Sequence, residues 1–216
     1  MGRLLGVAAL AVAILVPAAI ASPGEPQKRL TKADQAKARA IVFHRSDFPA
    51  GWIVKPNTNT SQDTPRCSNY NPDQSDLIET GDVDSPDFTR ADGSLVSSSV
   101  GIFKTAKMAT TGYARVARPQ LASCFGELFK KGAAPATVRL LHVGPLAFPR
   151  LGDRSNAYRL TANVTVQGIT IPVAIDIVTF NRGRVDVAMI FLGIRRPLRP
   201  SFEQSLAARM ATRAAA

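Results

Sequence analysis

Strand-forming apolar stretches separated by turn residues are the main pattern in the last third of the chain. Three such stretches, residues 156–166, 169–180 and 184–192, are separated by Gln167-Gly168 and by residues 181–183. Short glycine-containing turns connect antiparallel strands, and a period of two is typical of a strand with two different faces. The pattern therefore predicts a three-stranded antiparallel meander.

Shorter apolar stretches earlier in the chain predict further strands. Residues 81–88 and 95–104 flank the dipeptide Asp92-Gly93, whose turn chemistry predicts a hairpin. Residues 52–54 follow a Pro-Ala-Gly turn and residues 138–143 are rich in branched apolar side chains, so each is predicted as one more strand.

Apolar residues at spacings of three and four predict four helices. Their predicted ranges are residues 31–43, 106–117, 119–131 and 202–210. Thr31, Thr105 and Ser201 are the predicted N-caps, since their hydroxyls can accept from the first free backbone N–H groups. In the third helix, Cys124 shares one face with Leu121 and Leu128, so its side chain is predicted to point inward.

The order of these elements predicts an α+β fold, in which an antiparallel β-sheet of about six to seven strands is covered by helices. Residues 31–216 are predicted to form a single domain, because their number suits one core and no internal repeat is present. Residues 22–30 are polar and contain proline, which predicts a flexible lead.

The first 21 residues have the features of an export signal. Arg3 precedes the uncharged stretch 4–21, which ends in Ala-Ile-Ala, and cleavage is predicted between Ala21 and Ser22. The alternative is an uncleaved membrane anchor, because the stretch could just span a bilayer core of about 30 Å. Its alanine-rich end favours cleavage, so the mature protein is expected to be secreted.

Cys67 and Cys124 are the two cysteines, and both lie in the predicted mature part. In an oxidising compartment such a pair favours a disulfide over a redox or nucleophilic thiol, which would call for a C-x-x-C pair or a nearby histidine. Closing this loop would stabilise the fold by about 4 kcal/mol in the chain-entropy picture.

The chain is basic, with 27 Lys and Arg against 16 Asp and Glu, a formal net charge of +11. Such a balance allows peripheral association with an anionic lipid or cell-wall polymer, although a solvated arginine-rich surface is the simpler interpretation. Nucleic acid is not expected as a partner, because no basic stripe carries the aromatic residues that stack on bases.

No motif for catalysis, metal or cofactor is found. His44 and His142 stand alone, and the patterns G-x-S-x-G, H-E-x-x-H and the P-loop are absent from the sequence. Asn69, Asn71 and Asp73 begin like a calcium loop, but Gln74 and Thr80 stand where its glycine and closing glutamate belong. This favours a solvated acidic edge for the acids of the segment 73–87. We therefore expect no catalytic residue, no metal and no cofactor.

Four residues are candidate ligand or ion-pair positions. Asp176 lies inside the apolar run 171–178, and a buried carboxylate calls for a partner such as Arg159 or Arg184 on a neighbouring strand. Two interpretations of Asp176 stay open, an ion pair between strands and a contact to a ligand. Trp52, the single tryptophan, is either a core residue or an aromatic lip on a pocket.

The chain resembles the secreted sensor-like domains of actinobacteria, including PknH extracellular sensor-like and LpqN-like domains. The resemblance is carried by the segment Asp47-Phe48-Pro49-Ala50-Gly51-Trp52, by residues 97–103 and 152–160, and by the two cysteines. It implies a PsbP-like α/β/α sandwich and a binding or scaffolding role. The chain departs from the kinase sensor in having one cysteine pair instead of two.

Together these observations predict a non-enzymatic extracellular domain that binds a small or lipidic ligand or a cell-envelope partner. Two alternatives stay open. The first is an uncharacterised extracellular hydrolase that uses acidic and arginine side chains on the sheet. The second is a protein whose basic surface binds anionic lipid or cell-wall polymer.

Overall fold

The computed structural model describes residues 24–57, 64–132 and 135–216. The predicted signal peptide and its cleavage site between Ala21 and Ser22 lie outside the described residues. In the described part, four α-helices pack on one large sheet, which confirms the predicted α+β class. No helix among these residues is both long and apolar enough to cross a membrane.

Nine strands form the sheet within the described residues. They are β1 (Gln27–Lys28), β2 (Trp52–Lys55), β3 (Ile78–Asp84), β4 (Asp87–Arg90), β5 (Leu95–Phe103), β6 (Thr137–Pro145), β7 (Arg154–Val166), β8 (Ile169–Arg182) and β9 (Val185–Ile194). The main order is β1-β3-β5-β9-β8-β7-β6, while β4 pairs with both β2 and β5. All pairs are antiparallel except β1 with β3.

The predicted meander is confirmed as β7, β8 and β9. Gln167 turns the chain between the first two of these strands with a positive φ of 49°, and Gly168 follows with 79°. Positive φ values suit glycine and are uncommon for other residues. Gly168 therefore favours this tight turn.

The sheet has more strands than the six to seven predicted, for two local reasons. The predicted strand 81–88 is divided at Ser85 and Pro86 into β3 and β4, since proline has no N–H to give to a ladder. Part of the predicted flexible lead is β1, where the backbone N–H of Gln27 donates to Leu77 O at 2.8 Å.

Four α-helices flank the sheet in the described residues. They are α1 (Lys32–Ile41), α2 (Ala106–Val116), α3 (Gln120–Gly132) and α4 (Pro200–Ala215). Thr31 and Thr105 cap α1 and α2 as predicted, accepting hydrogen bonds from the backbone N–H groups of Asp34 and Met108. Ser201 as the cap of α4 is wrong, because Pro200 already occupies the first turn and Arg199 is the N-cap residue.

The helices divide between the two faces of the sheet. On one face, the α1/α4 face, Phe43 and Met210 pack against strand residues such as Phe180 in the largest buried cluster. On the other, the α2/α3 face, Phe125 and Phe129 of α3 pack near Leu160. The result is a helix–sheet–helix sandwich whose two faces are filled by the alternate residues of each strand.

A disulfide joins Cys67 to Cys124, with a Cα–Cα distance of 5.6 Å. It holds the loop before β3 against the first half of α3, where Cys124 is fully buried, as the helical spacing indicated. In the same loop, the hydroxyl of Tyr70 donates to Val116 O at the end of α2.

Candidate functional site

Asp176 and Arg159 are direct neighbours in the register of β7 and β8, on the α1/α4 face of the sheet. The guanidinium binds the carboxylate through two atoms, with Nε to Oδ1 at 2.6 Å and Nη2 to Oδ2 at 2.5 Å. A two-point contact of this kind fixes both side chains and compensates a buried carboxylate. The structure therefore gives Asp176 the partner on a neighbouring strand that burial calls for.

Glu203, on the first turns of α4, completes this cluster. Both Glu203 and Asp176 are only 1% exposed, and burial together with the Asp176 charge raises the pKa of Glu203 to about 9. Glu203 Oε1 accepts no hydrogen bond from a described group, as suits a protonated carboxyl whose proton is donated to Asp176. The arrangement is a carboxyl pair beneath a helix, with one negative charge balanced by Arg159.

Sequence reasoning missed Glu203, although a signal was present. Glu203 precedes Leu206, Ala207 and Met210 by three, four and seven residues, so it belongs to the buried stripe of α4. An acid on the apolar face of a helix predicts a buried carboxyl group. Asp176, on the strand beneath α4, is the other member of the carboxyl pair.

Arg184 lies at the other end of the sheet from Asp176. Its Nη2 atom is 2.5 Å from Asp34 Oδ2 in α1, and its Nε donates to Phe103 O at 2.7 Å. Of the two candidate partners for Asp176, only Arg159 is therefore brought to it. Arg184 instead ties α1 to the ends of β5 and β9.

Trp52 is buried in the core rather than at the lip of a pocket. Its ring is stacked on Phe202 of α4, with ring centroids 5.4 Å apart and an interplanar angle of 17°. The Arg90 guanidinium covers the ring at 5.6 Å from the centroid. Trp52 therefore packs the end of β2 against the start of α4.

A second group of acids lies on the α2/α3 face. The side chain of Glu79 on β3 lies over Gly101 of β5, and Gly101 pairs with Asp186 of β9. Burial raises the pKa of Glu79 and that of Asp186 to about 8 each. Asn181 Nδ2 donates to Asp186 Oδ1 at 2.6 Å. The expectation of a solvated acidic edge is thus wrong for Glu79, because the start of β3 is covered rather than open.

Among the described residues, no three His, Cys, Asp or Glu side chains are grouped so that they could hold an ion. A shallow polar depression of about 390 Å³ lies between α2 and the loop before β3, where Arg115 already pairs with Asp76 at its rim. This depression differs from an enclosed ligand site, which would be mostly apolar with a few convergent polar groups.

The hairpin of β7 and β8 carries an exposed apolar surface. Strand β9 ends at Ile194, opposite Val173, so β7 and β8 extend past it toward their turn. Val166 is 44% and Ile169 66% exposed, although both side chains are large and apolar. We call Val166 and Ile169, together with the half-buried Val164 and Ile171 beside them, the hairpin tip.

Six exposed cations lie at the same end of the sheet, and we call them the tip cations. They are Lys130, Lys131, Arg139, Arg195, Arg196 and Arg199. None of the six makes an ion pair with a carboxylate of the described residues. The pairs Lys130-Lys131 and Arg195-Arg196 are visible in the sequence, but their location beside an apolar hairpin is not.

No protein-family description and no curated protein matches the sequence. Among solved structures, the chain is similar to the extracellular domain of PknH from Mycobacterium tuberculosis, with 12% sequence identity and a TM-score of 0.43. The similarity covers 84% of this chain and 96% of that one. It is a likeness of overall arrangement, and no functional conclusion rests on it. The resemblance to LpqN-like and PsbP-like proteins stays a prediction.

Proposed function

We propose that this protein is an exported, non-enzymatic domain of the cell envelope that binds a lipidic ligand or partner. The observation that carries the proposal is the hairpin tip, an exposed apolar surface with unpaired cations around it. A surface of this kind has a cost in water unless a partner covers it, and its chemistry matches a molecule with apolar and anionic parts.

The disulfide supports the extracellular part of the proposal. Both cysteines are consumed in one bond, and Cys124 is inaccessible to solvent. Disulfides that hold a fold together persist in oxidising compartments and are rare in the cytosol. The export signal expected at residues 1–21 points to the same compartment.

The buried acids support a binding role over a catalytic one. A general acid or base has to reach the substrate, whereas Asp176 and Glu203 lie under α4 and their charge is already balanced by Arg159. A hydrolase that uses these two carboxyls is the second candidate, and it would require α4 to move. Hydrolysis of an ester or glycoside that is lost in both Asp176→Asn and Glu203→Gln would favour it.

The mass of the protein from its host's culture medium tests the proposal. Under denaturing conditions we expect the mass of residues 22–216 less two hydrogens, which reports signal cleavage and the disulfide together. Under native conditions an additional mass would identify a retained lipid, and its absence would favour contact with a lipid surface. Recovery of the chain only from the cytosol, or with free thiols, would contradict the proposed function.

A further inference from the structure

We propose that the hairpin tip docks the protein onto a bilayer rich in anionic lipid, with Val166 and Ile169 in the lipid interface and the tip cations against the phosphates. The inference rests on the proposed function and names its partner as a membrane surface. It differs from binding of a single lipid in a pocket, since the apolar groups project outward.

The first step is that the hairpin is apolar on one side only. Val166 pairs with Ile169, and Val164 pairs with Ile171, so these four side chains share the α2/α3 face. Thr165 and Thr170 lie on the opposite face, where their hydroxyls are 3.0 Å apart. A two-sided hairpin of this kind can rest at a boundary between water and hydrocarbon.

The second step is that cations lie in one row across the base of the hairpin. Arg139 on β6 pairs with Asn163 on β7, which pairs with Pro172 on β8. On the far side, the Arg195 N–H donates to Pro172 O at 2.7 Å. Arginine therefore flanks the projecting segment on both sides.

Two further cations approach the tip from α3. This helix ends at Gly132, shortly before β6 begins at Thr137, and Thr137 pairs with Thr165 near the hairpin turn. Lys130 and Lys131 in the last helical turn therefore lie at the tip end of the sheet, above the α2/α3 face.

The third step is that acids are few in this region. The sequence segments 128–152, 154–175 and 187–202, which supply the hairpin tip and the tip cations, contain no Asp or Glu. The nearest acid along α3 is Glu127. Asp92, in the turn whose Gly93 packs on Ile194, already pairs with Arg90. The six tip cations outnumber the acids near them, so they create a positive field that attracts anionic phosphates.

The distances along the strands suit a bilayer. Val166 is three residues beyond Asn163, which places it about 10 Å past the arginine row at the rise of a β-strand. Amphipathic segments enter the boundary between headgroups and acyl chains by about 5–10 Å. The tip can thus reach the first carbons of the lipid while Arg139 and Arg195 stay level with phosphates.

Co-sedimentation of the purified, oxidised protein with lipid vesicles tests the inference. We expect binding to vesicles of phosphatidylglycerol and phosphatidylcholine, much weaker binding to phosphatidylcholine alone, and a decrease as salt is raised. Val166→Ser with Ile169→Ser should weaken binding about tenfold or more, since two apolar side chains no longer enter the interface.

The chain offers a closely matched control for the tip. Ile53 and Val54 on β2 are 56% and 45% exposed, and they lie on the opposite flank of the sheet. Ile53→Ser with Val54→Ser should leave vesicle binding unchanged. In a second measurement, emission of Ile169→Trp should shift to shorter wavelength on adding vesicles, and that of Ile53→Trp should not.

The cations have a matched control too. Arg195→Gln with Arg196→Gln should weaken binding to the anionic vesicles about 30-fold at low salt. Lys104→Gln with Lys107→Gln changes the net charge by the same amount at exposed positions beyond β5, at the other end of the sheet, and should have little effect.

Three outcomes would overturn the inference. These are equal binding to neutral and anionic vesicles, binding that the tip substitutions leave intact, and no vesicle binding at all. Binding to dextran sulfate without vesicle binding would identify an anionic polymer as the partner instead. Because export and lipid retention are measured separately by mass, a failure here leaves the proposed function standing on its own test.

Discussion

The carboxyl groups of Glu203 and Asp176 lie side by side between α4 and the sheet. The charge of this cluster depends on whether Glu203 is protonated. In the folded protein the pKa of Glu203 is raised from 4.5 to about 9, by burial first and by Asp176 second. The folded state therefore keeps a proton that the unfolded chain releases above about pH 4.5. It follows that this group makes the fold less stable as pH rises from about 5 to 9.

Glu203→Gln should remove that penalty, because glutamine is neutral at every pH and can still donate to Asp176. We expect the free energy of unfolding to increase by about 1–3 kcal/mol at pH 8 and to change little at pH 5. Urea denaturation at the two pH values measures the difference. An equal effect at both would show that Glu203 is not protonated in the fold.

Asp176→Asn should act in the opposite direction. It leaves Arg159 without its carboxylate, and breaking a buried pair costs about 3–5 kcal/mol. Since Arg159 is partly exposed, we expect a smaller loss of about 2–3 kcal/mol in the free energy of unfolding. The same denaturation series measures it, and a stabilising effect would contradict the ion pair.

The disulfide stabilises one helix and one loop together. Cys67 lies in the irregular segment before β3, and Cys124 lies in the first half of α3. The bond closes a loop across a sequence separation of 57 residues, and Tyr70 packs beside it. Loss of the bond should therefore free the loop while the sheet remains.

Reduction should lower the free energy of unfolding by about 3–4 kcal/mol, since the unfolded chain regains the freedom of a long loop. Urea denaturation with and without dithiothreitol measures this loss. Cys67→Ser with Cys124→Ser is the control. Its free energy of unfolding should match that of the reduced protein and should not change when dithiothreitol is added. A wild-type curve that reductant leaves unchanged would contradict a structural role.

The elements were predictable from sequence wherever one period extended over many residues. The meander and the amphipathic face of α3 have such periods, and both are present as predicted. The pairing of β1 was not predictable, because it depends on a distant partner in β3. The break at Pro86 follows from a proline that the sequence shows.

The candidate surface was still harder to predict than the elements. The pattern of one strand does not show where the other strands of the sheet end, and Val166 lies where β7 and β8 extend past the end of β9 at Ile194. Likewise, Arg195 and Arg139 are far apart in the sequence, and only the pairing of both with the Asn163–Pro172 pair brings them into one row. The types of residue were visible in the sequence, but their common location was not.

At the scale of the whole molecule, three buried acids with raised pKa values set the response to pH. Glu79 and Asp186 have pKa values of about 8, and Glu203 one of about 9. The fold holds these protons longer than the unfolded chain does, so stability declines as pH rises toward 9. Asp34 and Asp47 have lowered pKa values, so their contribution is lost only in acid.

We therefore expect stability to be greatest near pH 5–6 and to fall by about 3 kcal/mol or more by pH 9. Denaturation midpoints across this range measure the trend. Glu203→Gln should make the slope shallower without abolishing it, because Glu79 and Asp186 still titrate. Stability that rises between pH 6 and 9 would contradict the assignment of these groups as protonated.

The excess of cations over acids around the hairpin tip also has a consequence for the rate of encounter. Half of the sixteen acids lie between residues 63 and 92, and those described in β3 and β4 are on the far flank of the sheet from β6 and β7. The molecule therefore carries an electric dipole, which turns it in the field of a charged surface before contact is made. Most collisions with such a surface would then begin at the hairpin, and few would be lost to wrong orientations.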